Sequence, residues 1–322
     1  MSEAAQSPAA VADPAPLTLT GLALARGEVD RAAEHRADEA WLESAWADPG
    51  SRVLVVERGK AIVVLDGERA SLVLVPPAQA PDGVRFLLGV DAGGVAYFGV
   101  AGALPEPAAA AGAGTEVRAA ALREAGPLLA DRDAGLMTHA VAVANFHDSH
   151  HFCPNCGAPS EPASAGHARR CTAEDIDEFP RVDPAMIVLV TDPQDRCLLA
   201  RNAAWPQYRV SVLAGFVEAG ESAEQAVARE VHEETGIAVA SVRYLGSQPW
   251  PMPQSLMLGF QASATGSLEF HVDHEEIAEA GWYSRAELKE AVAEGTLRLP
   301  PPVSIAHQII TAWYGAELPA AW

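Results

Sequence analysis

The 322-residue chain contains no run of 18 apolar residues, so no membrane-spanning helix is expected. Its first stretch, MSEAAQSPAAVADPAP, has neither a basic start nor a continuous apolar segment, and no secretory signal is read there. Basic residues are few: 22 Lys and Arg stand against 43 Asp and Glu, a net charge of −21. That balance argues against a broad surface for nucleic acid or anionic membrane, but not against a local anion site built with metal ions. Cysteine is scarce as well. There are four, and three fall in one short segment, which points to metal binding and not to a disulfide framework. No serine or histidine has an evident catalytic-triad partner. What the chain does have is apolar content, 49% of residues, enough for a sizeable core and, at this length, two domains. The expected setting is cytoplasmic.

One stretch organises the rest: Gly215 to Ile237, GFVEAGESAEQAVAREVHEETGI. Ser222 with Gln225 forms a capping-box pattern that starts a helix. Ala223, Ala226, Val227 and Val231 have apolar helical spacing, and Gly236 is placed to end it. Glu230, Glu233 and Glu234 then lie at i, i+3 and i+4 on one face. Arg229 stands beside them, within reach of Glu221 in the preceding loop. A solvated acidic face would tolerate this at a cost of only ~0.2–0.5 kcal/mol per like-charged pair. Partly buried carboxylates ~4 Å apart repel by about 4 kcal/mol at an effective dielectric near 20, and need a divalent cation. Oxygen donors of this kind suit Mg²⁺ or Mn²⁺.

The stretch resembles the Nudix box, G-x5-E-x7-R-E-U-x-E-E-x-G-U with U aliphatic, at every specified position: Gly215, Glu221, Arg229, Glu230, Val231, Glu233, Glu234, Gly236 and Ile237. The resemblance implies metal-dependent hydrolysis of a nucleoside diphosphate linked to another group.

Residues 1–16 are rich in Ala, Pro and Ser and read as a disordered tail. Residues 17–130 read as an N-terminal α+β domain. Arg52 to Leu65 is expected to form two strands about a turn at Glu57 to Lys60. Further strands are expected at Ser71–Pro76, Val84–Val90 and Val95–Val100, and Pro105 to Gly114 is a low-complexity loop. Lys60, Arg85, Arg118 and Arg123 read as surface charges. Residues 131–180 comprise a helix from Asp131 to His151 and a zinc-ribbon-like segment. The helix carries His139, His147, His150 and His151, read as packed or solvated. Cys153 and Cys156 have zinc-knuckle spacing, and Cys171 follows. Zinc takes four ligands in a structural site, but a cysteine three residues after Cys171 is missing. Glu174 stands there, so the fourth ligand is Glu174, Asp175, His167 or water, unless the ribbon holds by packing alone. Cys197 lies in an apolar strand and reads as core.

Residues 181–316 read as a second domain. Strands are expected at Pro180–Val190, Arg196–Ala200, Val210–Ala214, Ser241–Leu245 and Ser255–Ala264, with another ending at Tyr283. A short helix is expected at Ala286–Glu294 and a closing helix at Ser304–Tyr314. Mixed strands around one long helix and a terminal helix give an α/β fold, an α/β/α sandwich.

Ser247 to Ser255, SQPWPMPQS, has three prolines in nine residues, which reads as a stiff loop displaying Gln248, Trp250 and Met252. It resembles the SQPWPFPxS signature of NADH pyrophosphatases within the Nudix hydrolases, with Met252 for the usual Phe. That resemblance runs from about Ala120 to Tyr314. It implies that Glu230, Glu234, Glu276 and the carbonyl of Ala214 hold Mg²⁺ or Mn²⁺, with Glu233 as proton acceptor. It implies a dinucleotide pocket of Phe179, Gln248, Pro249, Trp250, Pro251, Met252, Pro253, Gln254, Ser255 and Ala306. Structural Zn²⁺ would sit on Cys153, Cys156, Cys171 and Glu174. It further implies cleavage of NADH or NAD⁺, with an NAD cap on RNA as a second substrate, and a homodimer. No Rossmann fingerprint occurs, so NAD is expected as substrate and not as cofactor. The rivals are a Nudix activity on ADP-ribose, FAD, diadenosine polyphosphates or nucleoside triphosphates, a non-catalytic nucleotide sensor, and an interaction module built on the cysteine ribbon.

Overall fold

The computed structural model describes residues 18–106, 115–272 and 274–318. The tail read at 1–16 and most of the low-complexity loop lie outside the described residues.

The N-terminal half has helix α1 (Glu39–Ala47) and strands β1 (Arg52–Val56), β2 (Lys60–Asp66), β3 (Arg69–Leu72), β4 (Gly83–Val90), β5 (Ala96–Gly102) and β6 (Thr115–Ala121). The two strands expected about Glu57–Lys60 are both present, but they separate into different sheets. β1 runs parallel to β5 in the order β1-β5-β4, and β2 lies between β3 and β6. The crossover turns at Arg58 and Gly59, both with positive φ, and leaves only a bridge between Glu57 and Lys60. Helices α2 (Leu122–Ala125) and α3 (Asp131–Ser149) follow. α3 buries Leu136, Met137, Ala140 and Val141 in one core with Leu54, Val63, Phe86 and Leu88.

The ribbon is a small sheet of β7 (Ser160–Ala163), β8 (Ala168–Cys171) and β9 (Asp177–Glu178). The second domain is built from β10 (Asp183–Thr191), β11 (Cys197–Asn202), β12 (Leu213–Phe216), α4 (Ala223–Thr235), β13 (Ala238–Trp250), β14 (Ser255–Thr265), β15 (Ile277–Tyr283), α5 (Arg285–Ala293) and α6 (Ile305–Tyr314). Its mixed sheet runs β13-β14-β10-β11-β15, with β12 also on β10. β10 alternates with the two-residue period of a strand. Met186, Val188 and Val190 face Val227 and Val231 of α4, whereas Ile187 and Leu189 face Ile309 and Ile310 of α6. This is the expected α/β/α sandwich.

The proline stretch departs from expectation. Ser247 to Trp250 is the end of β13, paired to β14 from Ser247↔Leu258 through Trp250↔Ser255. β13 is an edge strand, where a proline lacking its N–H breaks no ladder, so the prolines did not forbid a strand. Only the tight turn through the cis Met252–Pro253 peptide remains a loop. The N-terminal segment also meets this edge: Leu19 N donates to Leu245 O at 2.8 Å, and Leu24 N to Gln248 Oε1 at 3.3 Å. No helix among the described residues is long and apolar enough to cross a membrane.

Candidate active site

α4 is specified locally. Ser222 accepts from Gln225 N while Gln225 returns the bond to Ser222 N, and Gly236 closes the helix at φ 74°. Its apolar stripe fixes its rotation on the sheet, and so fixes where the glutamates point. Arg229 is the hub. It binds Glu221 through two nitrogens at 2.8 and 2.9 Å, Glu230 at 2.9 Å and Glu233 at 3.0 Å, and donates to Phe216 O at 2.9 Å. These charge-assisted bonds hold Glu221 below the ordinary carboxylate range. Arg229 therefore ties the loop to the helix and is not itself spare for a ligand.

Glu230 behaves differently. Burial pushes its carboxyl above the ordinary value, and the charges of Glu233 and Glu276 add to that push against the opposing pull of Arg229. Its carboxyl lies over Gly215, where any Cβ would overlap it. Glu234 is buried at 8% exposure and lines a cavity of about 450 Å³ together with Ala214. The donors are all oxygen and of one sign; Glu230 and Glu234 are shielded from water, whereas Glu233 and Glu276 are exposed. This is the donor chemistry that fits a hard divalent cation.

The same cavity is lined by Trp250 and Ala306, so four expected residues meet: Ala214, Glu234, Trp250 and Ala306. Others are placed elsewhere. Gln248 is fully buried, donating to Val303 O at 3.0 Å and accepting from Leu24 N. It pins β13 and is not displayed. Met252 packs against the N-terminal core. The carbonyls of Pro251 and Pro253 accept from Asn145 Nδ2, and Gln254 Nε2 donates to Asp183 at 2.9 Å. Pro249 and Ser255 pair with β14 and β13. Phe179 is 65% exposed and does not line the cavity. The cavity also contains residues that sequence reading passed over. Arg123, read as a surface charge, stands over the Trp250 ring at 5.1 Å, and Arg209 stands over Trp205 at 4.5 Å. Only the fold brings Arg123 to Trp250, so no local pattern marked it.

In the ribbon, ligand atoms of Cys153, Cys156, Cys171 and Glu174 all lie within 4.8 Å of one another. Sulfur ligands about 2.3 Å from a tetrahedral centre sit roughly 3.8 Å apart, and Cys156 Sγ and Cys171 Sγ are 3.5 Å apart. The N–H of Ala173, then that of Glu174, draws the Cys171 thiol below its usual range, as a thiolate ligand requires. These donors fit zinc. His167 is committed elsewhere, bonded to Leu87 O at 2.7 Å, and Asp175 faces Arg170 at 3.5 Å. His139, His147, His150 and His151 lie outside this group. Cys197 is buried, its thiol pushed up to about 12 by burial.

Fold and site together define a carboxylate-based, metal-dependent hydrolase. Residues 181–301 match the model described as NUDIX domain, and residues 148–178 that described as NADH pyrophosphatase zinc ribbon domain. NAD-capped RNA hydrolase NudC of Mycobacterium bovis is 42% identical over 302 residues, covering 91% of this chain and 95% of that protein. The protein of the same name from Mycobacterium tuberculosis is 41% identical with the same coverage. NAD-capped RNA hydrolase NUDT12 of Homo sapiens is 40% identical over 197 residues, 58% of this chain and 42% of that protein. The chain belongs to the Nudix hydrolase family, in the branch that carries the NADH pyrophosphatase zinc ribbon.

Proposed function

We propose that this hydrolase cleaves the pyrophosphate of NADH or NAD⁺ to AMP and the nicotinamide mononucleotide, and removes NAD caps from RNA by the same reaction. The observation that carries the reading is the joining of buried Glu234, on the carboxylate face, to Trp250 of the proline signature in one cavity. The likeness to the NudC proteins along nearly their whole length supports it.

Glu230 and Glu234, with Glu276 and the Ala214 carbonyl, would hold Mg²⁺ or Mn²⁺. Such an ion supplies charge neutralisation at phosphate oxygens and acidifies water. Glu233 accepts the proton of the attacking water as its oxygen bonds to phosphorus and the P–O–P bridge breaks. Arg229 keeps Glu230 and Glu233 in place, and Arg123 and Trp250 wall the mononucleotide end. Cys153, Cys156, Cys171 and Glu174 would hold zinc as a structural ion. The working division is 1–16, 17–130, 131–180 and 181–316, in a cytoplasmic homodimer.

Chromatography of products from NADH, with ADP-ribose and an NAD-capped RNA in parallel, tests the reading. AMP with reduced nicotinamide mononucleotide is expected, and a 5′-monophosphate end on the RNA. Cleavage of ADP-ribose but not of NADH would reject it in favour of a more general Nudix activity.

A further inference from the structure

A second cavity, of about 380 Å³, lies apart from the glutamates, between residues 24–31, α3 and the edge strand β13. Arg26, Arg31 and Arg132 line it, and Glu28 is the one carboxylate among its lining residues. Arg26 and Arg132 are each paired to a carboxylate, Asp131 and Asp133, and Arg31 is the lining guanidinium for which no ion pair is seen among the described residues. Two of the arginines are fixed in place. Arg26 is held by Asp131 at 3.0 Å and by the carbonyls of Gly126 and Ala23 at 2.9 and 3.1 Å. Arg132 is held by Asp133 at 2.8 Å. At Gly135 a Cβ would stand 2.8 Å from Arg26 O and 2.9 Å from the Gly27 Cα, so the segment and α3 touch backbone to backbone. His139 also lines the cavity; burial first, and then the charge of Arg31, keep its imidazole neutral.

Thr138 supplies an independent observation. It is 5% exposed, it lines this cavity, and its Oγ1 has no hydrogen-bond partner among the described residues. A helical threonine ordinarily returns its hydroxyl to the carbonyl four residues back. Thr235 does so to Val231 O at 2.6 Å, and Thr311 to His307 O at 2.7 Å. Thr138 does not, although leaving a buried hydroxyl unpaired costs about 1–3 kcal/mol.

We propose that this cavity is a second ligand site that takes a phosphate monoester with a compact body, of the class of nucleoside monophosphates. The Arg31 guanidinium and a hydroxyl donor match phosphate oxygens, and Leu24, Leu88, Leu136 and Pro249 provide the apolar wall for a base. The site adjoins the catalytic cavity through β13. Leu24 N bonds Gln248, two residues from Trp250, so occupancy would stiffen the strand that carries the catalytic wall.

The test is calorimetric titration of AMP, inorganic phosphate and adenosine into the full chain without divalent metal. AMP is expected to bind the wild type and Glu234→Gln alike, with phosphate competing and adenosine at least about tenfold weaker. Arg31→Ala should weaken AMP by about tenfold or more, and the near-isosteric Thr138→Val by about fivefold while keeping or raising the melting temperature. Thr138→Val keeps the proposal falsifiable should Arg31→Ala fold poorly. The proposal is overturned if AMP does not bind, if adenosine binds as well as AMP, if Thr138→Val binds AMP like the wild type, or if Glu234→Gln alone abolishes binding.

Discussion

The chain has two metal-type clusters, and they are built in opposite ways. The glutamates stand on a single helix whose start, rotation and end are all set by its own sequence. Arg229 is ion-paired to three of the carboxylates, including Glu221 of the loop. The cysteines stand on separate segments, Cys153 and Cys156 about a turn and Cys171 at the end of β8, with Cys153 and Cys171 buried and Cys156 exposed, and the carboxylate grouped with them, Glu174, is exposed. In the first cluster, Arg229 fixes Glu221, Glu230 and Glu233 by ion pairs along the helix and its loop. In the second, ligand atoms from separate segments come within 4.8 Å of one another, and one of the four is an oxygen, a poorer match to zinc than a fourth thiolate.

Substitutions break the comparison in order of effect. Glu234→Gln should lower hydrolysis of NADH at least about a thousandfold, since it removes a proposed cation ligand; steady-state rates at saturating Mg²⁺ check this, and zinc content should be unchanged. Gly215→Ala comes next. Its Cβ displaces the Glu230 carboxyl, and misplacement by about 1 Å costs roughly a hundredfold. The expected loss is in kcat, with the melting temperature nearly preserved. On the ribbon side, Glu174→Ala should weaken zinc retention by about a hundredfold in chelator competition, and Glu174→Cys should strengthen it, both with little change in turnover. A turnover change as large as that of Gly215→Ala would mean the clusters are not independent.

A further effect is on stability against pH. His167 bonds Leu87 O beneath the ribbon, and burial pulls its imidazole down to about 4. An unfolded histidine titrates near 6.5, so between these values the unfolded chain holds the extra proton. The contribution is complete above about pH 6.5 and is lost as pH falls towards 4, on the order of 3 kcal/mol in all. Urea midpoints from pH 7.5 to 4.5 should fall accordingly, and His167→Gln should flatten the slope.

Legibility follows the same divide between local and distant causes. α4, its capping box and its glycine stop were readable because each depends on neighbours within four residues. The alternation of β10 was readable too. The helix Glu39–Ala47 and strand Thr115–Ala121 were not read. The strand is alanine-rich and directly follows the low-complexity loop, and its pairing with β2 is long-range. The prolines of β13 misled because sequence does not say which strand lies at an edge. The roles of Arg123 and Gln248 depend on partners brought in from the other half of the chain, Trp250 and Leu24. Glu174 was one of four options for the fourth zinc partner, and only the fold separated it from His167 and Asp175.

The most direct test of the central claim is Mn²⁺ binding followed by electron paramagnetic resonance, on zinc-loaded wild type and Glu234→Gln, with NADH turnover measured on the same samples. If the α4 face is the preorganised cation site, the wild type binds Mn²⁺ without substrate, and Glu234→Gln loses both the bound Mn²⁺ and turnover while keeping its zinc. Full Mn²⁺ binding and turnover in Glu234→Gln would contradict the account.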